Sequence, residues 1–227
     1  MHKDKYIQCF IDDESGYVWL YCSPSKDCGA KNAATMSKEL RELVGHDVNI
    51  KVSAIQSDSD VVYKEGDFAV WCDAEGVVQR FSAPYTQSQN GRAERFWRTM
   101  ENHVASIFCY VGMSLKFWHY AARNFATTHN ITVASAGTLT PYELLTKRRP
   151  DISGLVTWGC PALAFLEKHE HAKFTPKCRP ELNLGPDPQT KDAFSYTFQT
   201  RDEFTPHATS PSTSCGANAQ TITNKSQ

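Results

Sequence analysis

Nowhere in this sequence are two cysteines spaced as Cys-x-x-Cys, although eight are present (Cys9, Cys22, Cys28, Cys72, Cys109, Cys160, Cys178 and Cys215). Zinc-finger spacing is therefore absent, and cysteines scattered this widely over 227 residues do not describe a dense disulfide scaffold. An excess of one charge is also missing: 24 basic residues face 25 acidic ones, a formal net charge of -1. Bulk electrostatics thus point to no polyanionic partner, and any nucleic-acid surface has to be local. No apolar run approaches the length needed to span a bilayer. Charges begin at Lys3, with no apolar stretch of signal-peptide length. No internal repeat is visible. These absences lead to the expectation of a reduced, intracellular, soluble protein with no membrane partner. What is present is core-forming material. Hydrophobic residues make up 41 % of the chain, and 12 Phe, 9 Tyr and 5 Trp exclude wholesale disorder.

The pattern along the chain alternates strands with helices. Tyr6 to Ile11 reads as a buried strand, Asp12 to Gly16 as a turn, and Tyr17 to Tyr21 as a second strand, together a hairpin. Ala33, Met36, Leu40, Leu43 and Val44 recur at helical spacing over 31–44, and Gly45 supplies a stop. Asn49 to Ile55 alternates as a third strand, Lys64 to Ala74 reads as a short helix, and Val77 to Phe81 as a fourth strand. Residues 82–91 (SAPYTQSQNG) lack periodicity and form a loop. A long amphipathic helix follows, its stripe made of Ala93, Trp97, Met100, Val104, Phe108 and Val111. A second helix is predicted over about 114–130, with Leu115, Trp118, Ala122 and Phe125 inward. Thr140, Pro141 and Glu143 carry the marks of a further helix start: N-cap, proline at the first helical position and a capping-box glutamate.

This alternation implies an α/β domain over 1–150. Residues 151–204 hold strand-like pieces (LVTWG, ALAFL, FSYTFQ) and suggest a small β-rich region. Residues 205–227 are nearly all polar or small and are expected to be a disordered tail.

Two carboxylates stand where chemistry is done. Asp58 follows a predicted strand at its carboxyl end, the edge at which open α/β sheets bind ligands. Glu94 sits in the first turn of the long helix, off its apolar stripe, and 35 residues separate the two. Taken singly, such an Asp is ordinarily a turn or cap residue and such a Glu complements the helix dipole. The text around them adds more. The run SAPYTQSQNGRAERFWRTM resembles the signature of copia-type retrotransposon integrases, with a Pro-Tyr-Thr loop and Asn-Gly before an Ala-Glu-Arg helix. Ser57-Asp58 resembles the opening of that family's second acidic motif, and the family's Asp–35 residues–Glu spacing is reproduced. Phe117-Trp118 is similar to the family's Phe-Trp helix, and TPYELLTKRRPDISGLVTWGC to its Thr-Pro-x-Glu segment. The likeness covers roughly 5–180.

The resemblance implies a ribonuclease H-like integrase core that performs DNA strand transfer with three carboxylates and two divalent metals. Asp58 and Glu94 would be both catalytic residues and ligands of Mg2+ (or Mn2+). Oxygen donors suit that ion, and two of them clamp the oxygens of an in-line phosphoryl displacement. The family's first catalytic Asp lies on a strand upstream of the hairpin. Asp12 and Asp13 match a pair on the second strand that is not catalytic. The expected fold is thus an integrase core with its first, central strand missing and that strand's neighbours unpaired, and impaired catalysis follows. After Ser57-Asp58 the family continues Asn-Gly, whereas here Ser59-Asp60-Val61 follows.

For DNA contact the candidates are Tyr85, Gln87, Gln89, Asn90 and Gly91 on the loop and Arg92, Arg95 and Arg98 at the helix start. The alternative is that the arginines solubilise the helix and pair with Glu94 or Glu101. Lys147-Arg148-Arg149 is a second basic cluster, which a solvated helix end explains equally well. His169 and His171 lie among charged residues and do not form a zinc site. The partners implied are DNA, as element ends and target, and further copies of the chain, with no small-molecule substrate. The implied setting is the nucleus or a cytoplasmic particle. Two other readings are a structure-specific nuclease of the same fold, which the Pro-Tyr-Thr and Asn-Gly signature disfavours, and a host-recruited, non-catalytic module binding nucleic acid or protein.

Overall fold

The computed structural model describes residues 4–45, 48–57, 60–81, 91–133, 137–166, 173–186, 196–200 and 218–224. It divides into two compact units, the first made of Met1–Glu101, Ala126–Pro150 and Ser212–Gln227, the second of Asn102–Phe125 and Asp151–Pro211.

The first unit opens with the expected hairpin, β1 (Tyr6–Asp12) antiparallel to β2 (Val18–Ser23). Its turn is locked from within. The Asp12 carboxylate accepts from the Ser15 amide at 2.8 Å and from the Ser15 hydroxyl at 2.5 Å, so Asp12 is buried as a turn residue. Helix α1 (Gly29–Val44) buries Ala33, Met36 and Leu40, and the Gly45 amide closes it on the Arg41 carbonyl at 3.1 Å. The predicted third strand starts three residues later than expected, as β3 (Val52–Ser57). The single helix expected over 64–74 is two, α2 (Val61–Lys64) and α3 (Asp67–Glu75), because Gly66 between them takes a φ of 118°. Strand β4 (Val78–Phe81) runs parallel to β3. Phe10, Met36, Leu40, Ile55, Phe68 and Cys72 meet in the core between sheet and helices.

Helices α4 (Gly91–Val111) and α5 (Trp118–Ile131) follow, then α6 (Pro141–Thr146). The start of α6 is the capping box that the sequence signals. The Thr140 hydroxyl accepts from the Glu143 amide at 3.1 Å, and the Glu143 carboxylate accepts from the Thr140 amide at 2.9 Å. The bonds that the Glu143 carboxylate accepts from the Thr140 amide and from the Thr140 hydroxyl, both at 2.9 Å, hold its carboxyl below the usual range.

The sheet corrects two expectations. The tail 205–227, expected to be disordered, contains strand β8 (Asn218–Asn224). The central place of the sheet, expected to be vacant, is where that strand lies. The sheet order is β2-β1-β8-β3-β4, with β8 parallel to β1 and antiparallel to β3. The physical reason is the demand of two facing strand edges for backbone partners. Thr221, Ile222 and Thr223 are β-branched and suit a strand. With the hairpin on one side of the central strand and the parallel pair on the other, the unit is a mixed α/β sheet-and-helix domain, the class that the sequence implied.

The second unit takes in 102–125 along with the β-rich region, so a division at residue 150 alone does not describe it. The cause is apolar: Phe108, Met113, Phe117 and Ala121 pack with Trp158, Leu182 and Leu184. Leu115, expected to point inward, is exposed, because residues 115–117 form a 3-10 turn that turns Phe117 inward in its place. The sheet is β5 (Pro161–Phe165), β6 (Cys178–Pro186) and β7 (Tyr196–Thr200), antiparallel throughout. The LVTWG piece is not a strand. Trp158 is buried and its indole donates to the Leu184 carbonyl at 3.0 Å. Gly159 next to it has a φ of 75°, and a Cβ there would come within 2.6 Å of Val111 Cγ2, so only glycine fits. Among the described residues no disulfide forms, and no helix is long and apolar enough to cross a membrane.

Candidate nucleic-acid interface

The start of α4 presents two different faces. Ala93, Phe96, Trp97 and Met100 are buried, whereas Arg92, Glu94, Arg95 and Arg98 are exposed. The apolar residues step at helical spacing and fix which way the helix rolls, so the charged ones are turned outward together. The helix begins at Gly91 and carries Glu94 in its first turn, where backbone amides without an intrahelical partner and the dipole favour an anion.

The three arginines are not equivalent. Arg92 Nη1 donates to the Asp12 carbonyl at 3.3 Å and to the Asp13 carbonyl, and it lies 3.8 Å from the Asp13 carboxylate. Arg92 is therefore tied to the β1–β2 turn. Arg95 and Arg98 make no ion pair among the described residues, so the alternative pairing with Glu94 or Glu101 is not found there. Among the sequence candidates, then, Glu94, Arg95 and Arg98 share one exposed surface with Gly91 at its head, and Arg92 is bonded to the β1–β2 turn. Asp58, Tyr85, Gln87, Gln89 and Asn90 lie outside the described residues, as do His169 and His171.

The strand edge that leads to position 58 is described as far as Ser57, which is buried and pairs with Phe81 of β4. On the far side, Asp60 explains the departure from Asn-Gly. Its carbonyl accepts from the Tyr63 and Lys64 amides and its carboxylate from the Val62 amide at 3.4 Å, so it caps α2. Lys26 reaches the Asp60 carboxylate at 3.6 Å, and Lys64 lies 5.3 Å above the Phe81 ring.

The turn that holds Arg92 is gripped from α5 as well. The Asn130 side chain donates to the Val18 carbonyl and accepts from the Val18 amide, both at 2.8 Å, and His129 Nε2 lies 3.2 Å from the Gly16 carbonyl. Burial lowers the His129 pKa, an effect partly opposed by that bond to Gly16. Sequence reading missed both residues, since their partners are more than a hundred positions away and no local pattern marks them.

Each residue of the second basic cluster has a partner within the first unit. Lys147 Nζ donates to the Leu144 carbonyl at 2.8 Å, Arg148 donates to the Leu43 carbonyl, and Arg149 lies 4.0 Å from Glu143.

A two-metal centre is not built by the described residues. No group of three or more His, Cys, Asp or Glu side chains among them could hold an ion. Glu94 offers the oxygen donor that Mg2+ takes, but a single carboxylate does not hold two ions. Strand β8, beside β3, reads NAQTITN and brings no carboxylate.

No protein-family model matches the chain. It is 27 % identical over 187 residues to the retrovirus-related Pol polyprotein from transposon TNT 1-94 of Nicotiana tabacum, covering 82 % of this chain and 14 % of that protein. Over 140 residues, 62 % of this chain, it is 24 % identical to the Pro-Pol polyprotein of feline foamy virus and 26 % identical to that of simian foamy virus type 3 (strain LK3), in each case 11 % of the relative. The chain is thus similar to a segment of retrovirus-related Pol polyproteins. TNT 1 is a copia-like element, so the copia-type resemblance carried by SAPYTQSQNGRAERFWRTM is borne out. The chain spans about one seventh of the length of that plant relative and less of the viral ones. Among solved structures, a simian T-cell lymphotropic virus intasome in complex with PP2A regulatory subunit B56 gamma has a chain 14 % identical at a TM-score of 0.48, covering 86 % of this chain and 76 % of that one. The catalytic core domain of BIV integrase is 17 % identical at a TM-score of 0.43, covering 63 % and 95 %.

Proposed function

We propose that this chain is an integrase-core module of a copia-type element that engages DNA through the start of α4 and does not itself complete strand transfer. The observation that carries the reading is the division of labour on that helix. Ala93, Phe96, Trp97 and Met100 are committed to the core, while Glu94, Arg95 and Arg98 are held outward at the helix start. That surface offers cationic side chains and N–H donors to a phosphate backbone without any base-reading element, so binding is sequence-independent and governed by salt. On this reading the partners are element ends, target DNA and further copies of the chain, acting in the nucleus or a cytoplasmic particle.

Impaired catalysis follows from the carboxylates. Asp58 and Glu94 are the two acidic residues that the resemblance nominates, and β8 brings no third to the adjoining strand. Two carboxylates cannot hold and balance two divalent cations as three can. Purified protein incubated with processed oligonucleotide ends, target DNA and Mg2+ or Mn2+ is expected to give no joined product. Joined products that vanish in Asp58→Asn would overturn the inactive reading and leave the DNA-binding one standing.

A further inference from the structure

The β1–β2 turn is held by more side chains than a surface turn needs. Asp12 and Ser15 already close it from within. Arg92 then binds the Asp12 and Asp13 carbonyls, His129 meets the Gly16 carbonyl, and Asn130 takes both backbone polar groups of Val18. Three of these grips come from helices remote in sequence, and the result is a stiff ledge. Helix α4 is fixed at two points, one on that ledge and one on α5, which grips it. The first is Arg92. The second is Phe96, one turn later, whose ring meets the His129 ring edge-on at 5.4 Å and 83°. Glu94 and Arg95 lie between the two points.

We propose that Arg92 is a positioning residue: by clamping the first turn of α4 to the β1–β2 turn it sets the direction in which Glu94 and Arg95 are presented, and it is not itself a phosphate ligand. The inference rests on the DNA-binding reading for its functional consequence, although the clamp is a property of the fold. The chemistry separates Arg92 from its neighbours. Its guanidinium is shared among two carbonyl oxygens and the Asp13 carboxylate, and charge-assisted bonds of this kind are the stronger ones. To reach a phosphate it would have to give them up, whereas Arg95 and Arg98 have no described ion pair to lose. A clamp and a phosphate contact leave different traces. A lost phosphate contact reduces the log–log salt slope of binding by about 0.9 for duplex DNA, whereas a lost clamp weakens binding without releasing fewer counterions.

The test compares the parent protein with Arg92→Ala, Arg92→Lys and Arg95→Ala, using duplex DNA titrations at several salt concentrations and amide hydrogen exchange over the first turns of α4. Arg95→Ala should reduce the salt slope by about 0.9. Arg92→Ala should leave the slope at the parent value, weaken binding several-fold at every salt concentration, and speed exchange of the amides from Arg95 to Arg98, the first that bond within the helix, roughly tenfold. Lysine keeps the reach and the donors, so Arg92→Lys should restore exchange protection and most of the affinity. It also keeps the test open where the alanine variant fails to fold. A slope reduced by Arg92→Ala as much as by Arg95→Ala would make Arg92 a phosphate ligand and overturn the proposal. Unchanged exchange in Arg92→Ala, or exchange in Arg92→Lys as fast as in an unclamped helix, would overturn it too. Failure of the DNA-binding reading is a separate result, because the exchange measurement reports the clamp with no DNA present.

Discussion

At His129 one proton decides whether the grip on the β1–β2 turn costs anything. Burial lowers its pKa from 6.5, only partly offset by the bond to the Gly16 carbonyl. The folded chain therefore takes up this proton later than the unfolded chain as pH falls. Stability from the neutral ring is full above the unfolded value and is lost as pH drops through 6.5 toward the depressed folded value. Chemical denaturation at about pH 7.5 and about pH 5 should show a lower midpoint in acid. Part of that difference should vanish in His129→Gln, and an unchanged difference would mean that other groups carry it. At this scale the sequence was legible where the partners are near neighbours. Thr140 and Glu143 announced their capping box at a spacing of three, and Asp12 was recognisable as belonging to a turn. The bonds of Arg92 to the β1–β2 turn were not legible, because its acceptors are backbone carbonyls about eighty residues away, which no side-chain pattern records.

Among the elements, β8 bears the most weight. Its backbone supplies partners to both β1 and β3, from Asn218 opposite Gln8 to Asn224 opposite Val52. With it in place the sheet should fold cooperatively, where an unpaired centre would have left a molten or aggregating chain. Ending the chain after Pro211 removes it. The truncated protein is expected to lose its cooperative thermal transition or associate through the two exposed edges, while the full chain melts in one sharp step. A truncated protein that stays monomeric and melts like the parent would show that β8 is dispensable. The helices of this unit were legible from their apolar spacing, and the hairpin from its turn cluster. Strand β8 was not, because NAQTITN has the composition of a tail and only the tertiary vacancy gives it a role. Strand β6 was hidden in the same way by Pro180 and Pro186.

For the whole molecule, a net charge of -1 means that no general field draws DNA to the surface. Binding has to come from a few side chains, and the fold selects which. Arg95 and Arg98 are turned outward on α4, while Lys147, Arg148 and Arg149 are engaged with Leu144, Leu43 and Glu143. The most direct measurement is a titration of duplex DNA over a series of salt concentrations with the parent, with Arg95→Glu combined with Arg98→Glu, and with Lys147, Arg148 and Arg149 changed together to Ala. The parent should bind weakly, without sequence preference, and with an affinity that falls steeply as salt rises. The α4 double variant should lose that binding, and the triple variant should keep most of it. A double variant that binds like the parent would contradict the account, and the charged start of α4 would then be no more than a solvated helix face.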